Sequence, residues 1–107
     1  MTALPQYQRL EASGLWREAP EAQRREVIVS FGDATLVLAD TRTARALVHW
    51  SLPAMVRLNP GQRPALYAPS EEPGEVLEIE DTTLIEAIEK VHAVIEARRP
   101  HPGRLRR

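Results

Sequence analysis

The chain has 107 residues, a formal net charge of −1 and 27% charged residues, which suits one domain and excludes nucleic-acid binding by bulk electrostatics. It contains no cysteine, which excludes a disulfide framework and thiolate chemistry and fits a reducing compartment. No apolar run approaches the roughly 18 residues of a bilayer span, and the N-terminus lacks the basic start and apolar core of a signal peptide.

Residues Met1 to Arg17 hold Tyr7, Leu10, Leu15 and Trp16 at spacings that fit neither the helical nor the strand period, with Gly14 interrupting them. They predict a short irregular or strand-like segment. Glu18 to Gln23, with Pro20, reads as a loop. From Val27 the pattern is clear: Val27, Val29 and Phe31 alternate with Ile28 and Ser30, as in a half-buried strand. Thr35 to Ala39 is a second such run. Gly32-Asp33 between them predicts a tight hairpin in which Gly32 takes the positive φ of a type II′ turn.

Asp40 to Thr43 is a turn, and Arg45 to Trp50 a third strand. Ala46, Val48 and Trp50 fall on one of its faces, Arg45, Leu47 and His49 on the other. Met55 to Leu58 is a fourth, short strand. Asn59-Pro-Gly-Gln62 is a turn, with Pro60 fixing φ at its second position and Gly61 taking positive φ at its third. Ala65 to Ala68, bracketed by Pro64 and Pro69, is a strand expected at a sheet edge, where prolines are tolerated. Ser70 to Gly74 is a polar loop. Val76 to Glu80 is the last strand, with Leu77 and Ile79 facing in and Glu78 and Glu80 facing out.

The longest periodic stretch comes last. In Asp81 to Ala97, Leu84, Ile88, Val91 and Ile95 fall at i, i+4, i+7 and i+11, with Ala87 and Val94 widening the stripe. Thr83 and Glu86 can form a capping box, and Asp81 is a rival N-cap. Glu86 and Lys90 make a favourable i, i+4 pair. Arg98 and Arg99 complement the dipole at the far end, and Pro100 stops the helix. About six strands grouped before one helix predict an α+β fold: a mostly antiparallel curled sheet or small roll with an amphipathic helix packed on it, over residues 1–99. Residues 100–107 carry Pro102 and Gly103 and no apolar pattern, and read as a flexible basic tail.

Charge is distributed unevenly. Nine residues from Glu71 to Glu96 are acidic and only Lys90 is basic, whereas five of the residues from Arg98 to Arg107 are arginine and none is acidic. Arg98, Arg99, Arg104, Arg106 and Arg107 are therefore the candidate contact residues. Three readings compete for them: a solvated terminus, the cytoplasmic flank of a membrane span, and a surface for RNA or another acidic partner. Each arginine near an anionic bilayer is worth roughly 1 kcal/mol, so five make a weak and salt-sensitive anchor.

The order of elements is similar to a pleckstrin-homology-type roll. From Trp50 onward there is a more specific likeness, carried by Trp50-Ser51-Leu52, by Arg57, by Pro64-Ala65-Leu66-Tyr67-Ala68-Pro69, and by Val76-Leu77-Glu78-Ile79-Glu80-Asp81 running into the helix. In that order these resemble the small N-terminal cytoplasmic domain that precedes the transmembrane segment of some bacterial membrane-anchored zinc metallopeptidases. The likeness covers about half of the chain. Ser51 stands where that pattern has proline, the loop from Ser70 to Gly74 is longer, and the first 25 residues do not match. The peptidase HExxH motif is missing, so no protease activity carries over. The resemblance implies an accessory domain at the inner face of the bacterial inner membrane, with any span and catalytic part downstream of Arg107.

No residue pattern argues for catalysis. Glu89 and His92 stand one turn apart, but helix-bundle metal sites pair two such motifs, so His92 reads as a residue bordering the apolar stripe. His49 lacks a nucleophile or cysteine motif beside it and reads as facing solvent or the second sheet face. Trp50 reads as core, and Trp16 as core or an exposed interface residue. Glu71, Glu72, Glu75, Glu78, Glu80 and Asp81 lack the spacing and glycine of a calcium loop and read as a solvated face. The expectation is a non-enzymatic cytoplasmic accessory domain of a larger bacterial membrane protein, without catalytic residue, metal or cofactor. Its partner would be a protein, the adjacent membrane span or an anionic lipid surface. The alternative is a free-standing interaction module that forms a homodimer through a strand edge.

Overall fold

The computed structural model describes Tyr7 and residues 9–98. In chain order its elements are β1 (Glu11–Arg17), β2 (Arg25–Phe31), β3 (Thr35–Asp40), β4 (Ala46–Ser51), a 3₁₀ turn (Leu52–Ala54), β5 (Val56–Arg57), β6 (Ala65–Ala68), β7 (Val76–Ile79) and α1 (Thr82–Arg98). The strands form one antiparallel sheet in the order β4-β3-β2-β1-β7-β6-β5. The sheet curls into a half-barrel with α1 packed on it, an α+β fold of seven strands where about six were expected.

The additional strand is β1, and it is the hub. It pairs with β2 from Glu11↔Ser30 to Trp16↔Arg25 on one side and with β7 from Leu15↔Glu78 to Arg17↔Val76 on the other. Gly14, which breaks the sequence pattern, is what allows this pairing. A Cβ there would lie 3.2 Å from the Glu78 carbonyl oxygen, from Leu77 Cδ1 and from Val29 Cγ2. The missing side chain thus lets the walls of the core close on the strand.

The sheet's concave side is the core. Val27, Val29, Leu36, Leu38, Leu77 and Ile79 alternate into it and are fully buried, as are Leu84 and Val91 from α1, with Ile88 at 1% exposure. Ile95 is partly buried against the same cluster. Full burial of one such aliphatic side chain contributes about 1.5–3 kcal/mol, so the helical stripe, not helix propensity, holds α1 in place. Its N-cap is Asp81, whose Oδ1 accepts the Leu84 N–H at 2.8 Å.

Several local expectations change. The hairpin between β2 and β3 does not place Gly32 at positive φ; the left-handed residue is Ala34, at φ 61°. The Gly32 N–H donates to the Thr35 carbonyl at 2.9 Å, which moves the reversal one residue further on. Glycine still suits position 32, because a Cβ would sit 2.5 Å from Thr35 Oγ1 and force that side chain to move. The Asn59–Gln62 turn forms as expected, with Gly61 at φ 81° and the Gln62 N–H donating to the Asn59 carbonyl at 3.1 Å.

Strand β6 is not an edge: it pairs with β5 and β7, and its two flanking prolines lie just outside it. The edges are β4 and the two-residue β5. Along β4, Trp50 is buried and Val48 partly so, but Ala46 is exposed. The register with β3 shifts between Leu38↔Val48 and Ala39↔Ala46, and this bulge carries the end of the strand away from the core.

Candidate functional site

Among the described residues, two clusters of polar side chains border the core, and each is organised by one glutamate. The first joins distant strands. Alternation along β1 turns Trp16 inward, where it is 8% exposed, and alternation along β4 turns Trp50 inward, at 2%. Both indoles donate to the same oxygen, Glu75 Oε2, at 2.8 Å from Trp16 Nε1 and 3.0 Å from Trp50 Nε1. Glu75 stands just before β7 and is partly buried. Its carboxylate therefore ties β4, an edge of the sheet, to the β1–β7 centre across the concavity. Trp16 is a buried core residue and not an exposed interface residue.

The second lies where α1 passes over β5 and β6. A cleft of about 140 Å³ is lined by Met55, Arg57, Tyr67, Ile88, Glu89 and His92, among others. The Tyr67 hydroxyl donates to Glu89 Oε2 at 2.7 Å. Arg57 Nη1 lies 3.4 Å from the same oxygen, its Nη2 donates to the Gln62 carbonyl at 2.7 Å, and its guanidinium sits 5.7 Å from the centre of the Tyr67 ring. Burial, then the hydrogen bond to Glu89, push the Tyr67 phenol well above its usual range, so it stays protonated as a donor. His92 Nε2 is 3.1 Å from the Met55 carbonyl oxygen. A carbonyl only accepts, so this nitrogen carries the proton. Chemically the cluster is a helix clamp: the hydroxyl, guanidinium and imidazole are each engaged by an acceptor that ties α1 to β5, β6 or the turn before them.

The acidic stretch is thus less uniform than a solvated face. Glu71, Glu72 and Glu80 are exposed, but Glu75 holds two tryptophans, Glu78 pairs with Arg24 at 2.9 Å, and Asp81 caps α1. Among the described residues, no group of three or more His, Cys, Asp and Glu side chains could hold a metal ion. His49 is exposed on the outer side of β4, as expected.

Of the predicted contact residues, Arg98 is the last residue of α1 and is exposed. Arg99, Arg104, Arg106 and Arg107, with the flexible tail expected over residues 100–107, lie outside the described residues. Among the described residues no helix is long and apolar enough to cross a membrane.

Sequence reading missed both glutamate clusters as units. Glu75 lies 59 residues from Trp16 and 25 from Trp50, and only the curl of the sheet brings them together. The one local signal was the pair of tryptophans itself, since a buried indole N–H needs an acceptor. Comparison of the chain with protein families, with curated proteins and with solved structures found no match.

Proposed function

We propose that this chain is a non-enzymatic accessory domain of a larger bacterial membrane protein, held at the cytoplasmic face and acting by positioning or by protein interaction. One observation carries the reading. Helix α1 spends its apolar stripe on the sheet, and the chain leaves that helix at the exposed Arg98, the first of five arginines with no acid among them. An acidic, folded body followed at once by a basic segment is the charge order of a domain on the cytoplasmic side of a span. The curled antiparallel sheet with a terminal helix is compatible with the pleckstrin-homology-like roll that the resemblance from Trp50 onward implies. The two glutamate clusters support a structural role for the buried polar groups.

The coding sequence beyond Arg107 tests this. An apolar stretch of about 20 residues soon after the arginines supports it; a stop or a wholly polar continuation removes it.

A second reading has its own observation. Strand β4 is an edge of six residues, Ala46 to Ser51, without a charge or a proline, and Leu47 within it is 36% exposed. Beyond the bulge at its Ala46 end, the strand has no such gatekeeper from Val48 to Ser51, and unprotected edges are templates for pairing, so a homodimer through β4 is the alternative. Sedimentation across a hundredfold range of concentration, from about 1 μM to about 100 μM, separates the two. A monomer throughout rejects the dimer.

A further inference from the structure

The geometry points to a ligand site on the convex side of the sheet, independent of the membrane reading: the groove over β1, β7 and β6 takes a small aliphatic monocarboxylate, with Arg17 holding the anion. The groove measures about 230 Å³ and is lined by Leu15, Arg17, Arg24, Leu66, Val76 and Glu78. Its walls follow from the register. Trp16 is drawn inward to Glu75, so Leu15 and Arg17 on either side of it must point outward. Leu15 and Leu66 both stand opposite Glu78, and Arg17 stands opposite Val76.

Among the described residues two arginine Nε atoms, those of Arg17 and Arg57, are buried without a hydrogen-bond partner. The Nη groups of Arg57 are held by the Gln62 carbonyl and Glu89, whereas no carboxylate among the described residues pairs with Arg17. Buried donors are nearly always satisfied, and an orphan on a charged group calls for a missing partner. The other cation in the groove, Arg24, is already held by Glu78 at 2.9 Å, which leaves one positive charge uncompensated. The buried Nε–H reaches a ligand in the groove only when the guanidinium turns outward on binding; its Nε–H and Nη–H edge is then the fork that grips a carboxylate with two parallel bonds. Leu15, Leu66 and Val76 beside it offer an apolar floor for a short alkyl chain.

Charge selects the anion. Glu26 and Glu80 line the adjoining hollow on the same face, with Ser13, Gly14, Leu15 and Glu78. A phosphate dianion, or an anionic bilayer laid flat on this face, would meet those carboxylates, whereas a monoanion with an apolar tail meets Arg17 and the leucines.

The test uses the whole chain and the side-chain Nε–Hε resonance of Arg17, followed by NMR while sodium hexanoate is added. A saturable shift of that resonance is expected, weaker binding of acetate because the alkyl contact is lost, and no response to hexanol. Arg17→Met should weaken hexanoate binding at least about tenfold, the loss of one charge-assisted pair. Arg17→Lys keeps the charge but not the fork and should fall between. A linear, unsaturated drift, an equal response to hexanol, or unchanged hexanoate binding in Arg17→Lys and Arg17→Met overturns the proposal and leaves the orphan Nε to a water molecule. If hexyl phosphate binds more tightly than hexanoate, the assigned ligand class is wrong. The wild-type titrations decide even where a variant does not fold.

Discussion

Two glutamates do the same job at different depths. Glu75 accepts from two indoles that are each less than a tenth exposed; Glu89 accepts from a buried phenol and a guanidinium, but its own side chain is 48% exposed. Water can replace Glu89 at its open side more readily than it can reach two indoles that are less than a tenth exposed. The comparison teaches that the worth of a carboxylate is set by what its removal leaves behind, not by the number of its bonds. An ion pair as exposed as Arg57 with Glu89 is worth little by itself.

The largest effect that could break this contrast is at Glu75. Glu75→Ala orphans two buried donors and is expected to cost about 2–4 kcal/mol in urea unfolding, with a change in tryptophan emission because both indoles lose their acceptor. Glu75→Gln keeps an acceptor and should lose about half as much. A cost below about 0.5 kcal/mol for the alanine variant would mean that water already serves the indoles. Next comes Tyr67→Phe, expected to cost about 1 kcal/mol, while Glu89→Ala should cost less than Glu75→Ala by at least about 1 kcal/mol. Equal costs at the two glutamates would erase the distinction drawn between them.

Asp40 extends the same comparison to a carboxylate that organises a surface turn. Its Oδ1 accepts the N–H groups of Arg42 at 2.7 Å and Thr43 at 3.0 Å, and Arg25 Nη2 donates to Oδ2 at 2.8 Å. These bonds, the one from Thr43 foremost, lower its pKa to about 2. A carboxylate with a depressed folded-state pKa favours the fold above its ordinary value, and that contribution fades as pH falls from about 4 to about 2. Asp40→Asn should therefore flatten the pH dependence of the urea midpoint across that window. An unchanged slope would show that other carboxylates dominate acid unfolding.

The smallest effect is a gain. Ala44 closes the same turn at φ 61°, a left-handed conformation that costs an L-residue roughly 1 kcal/mol. Ala44→Gly should raise stability by up to about 1 kcal/mol, and the thermal midpoint would show it. A loss instead would mean that glycine's extra freedom in the unfolded chain outweighs the relieved strain.

The elements that sequence reading finds are those whose periodicity is local. Val27, Val29 and Phe31, Leu77 and Ile79, and the stripe from Leu84 to Ile95 announce their faces without reference to anything distant, because one wet and one dry side impose a repeat. β1 does not announce itself: Gly14 sits where an apolar residue would complete the pattern, and the reason for it, Leu77 and Val29 closing on the strand, lies in other segments. β6 looked like an edge because of its prolines, but their place just outside the ladder is a matter of pairing. The left-handed residue of the β2–β3 hairpin moved from Gly32 to Ala34 because the turn's length is set by the register of both strands.

For the sites, the sequence alone established composition: a run of acids, then a run of arginines, with two tryptophans far apart. Which acid matters was decided by the curl of the sheet. Burial of the indoles made Glu75 their acceptor, the Arg24 pair occupied Glu78, and the start of the helix occupied Asp81, while Glu71, Glu72 and Glu80 were left to water. Periodicity is written residue by residue along the chain, whereas hydrogen-bond partnership depends on which donors lose water together, and only the folded arrangement determines that.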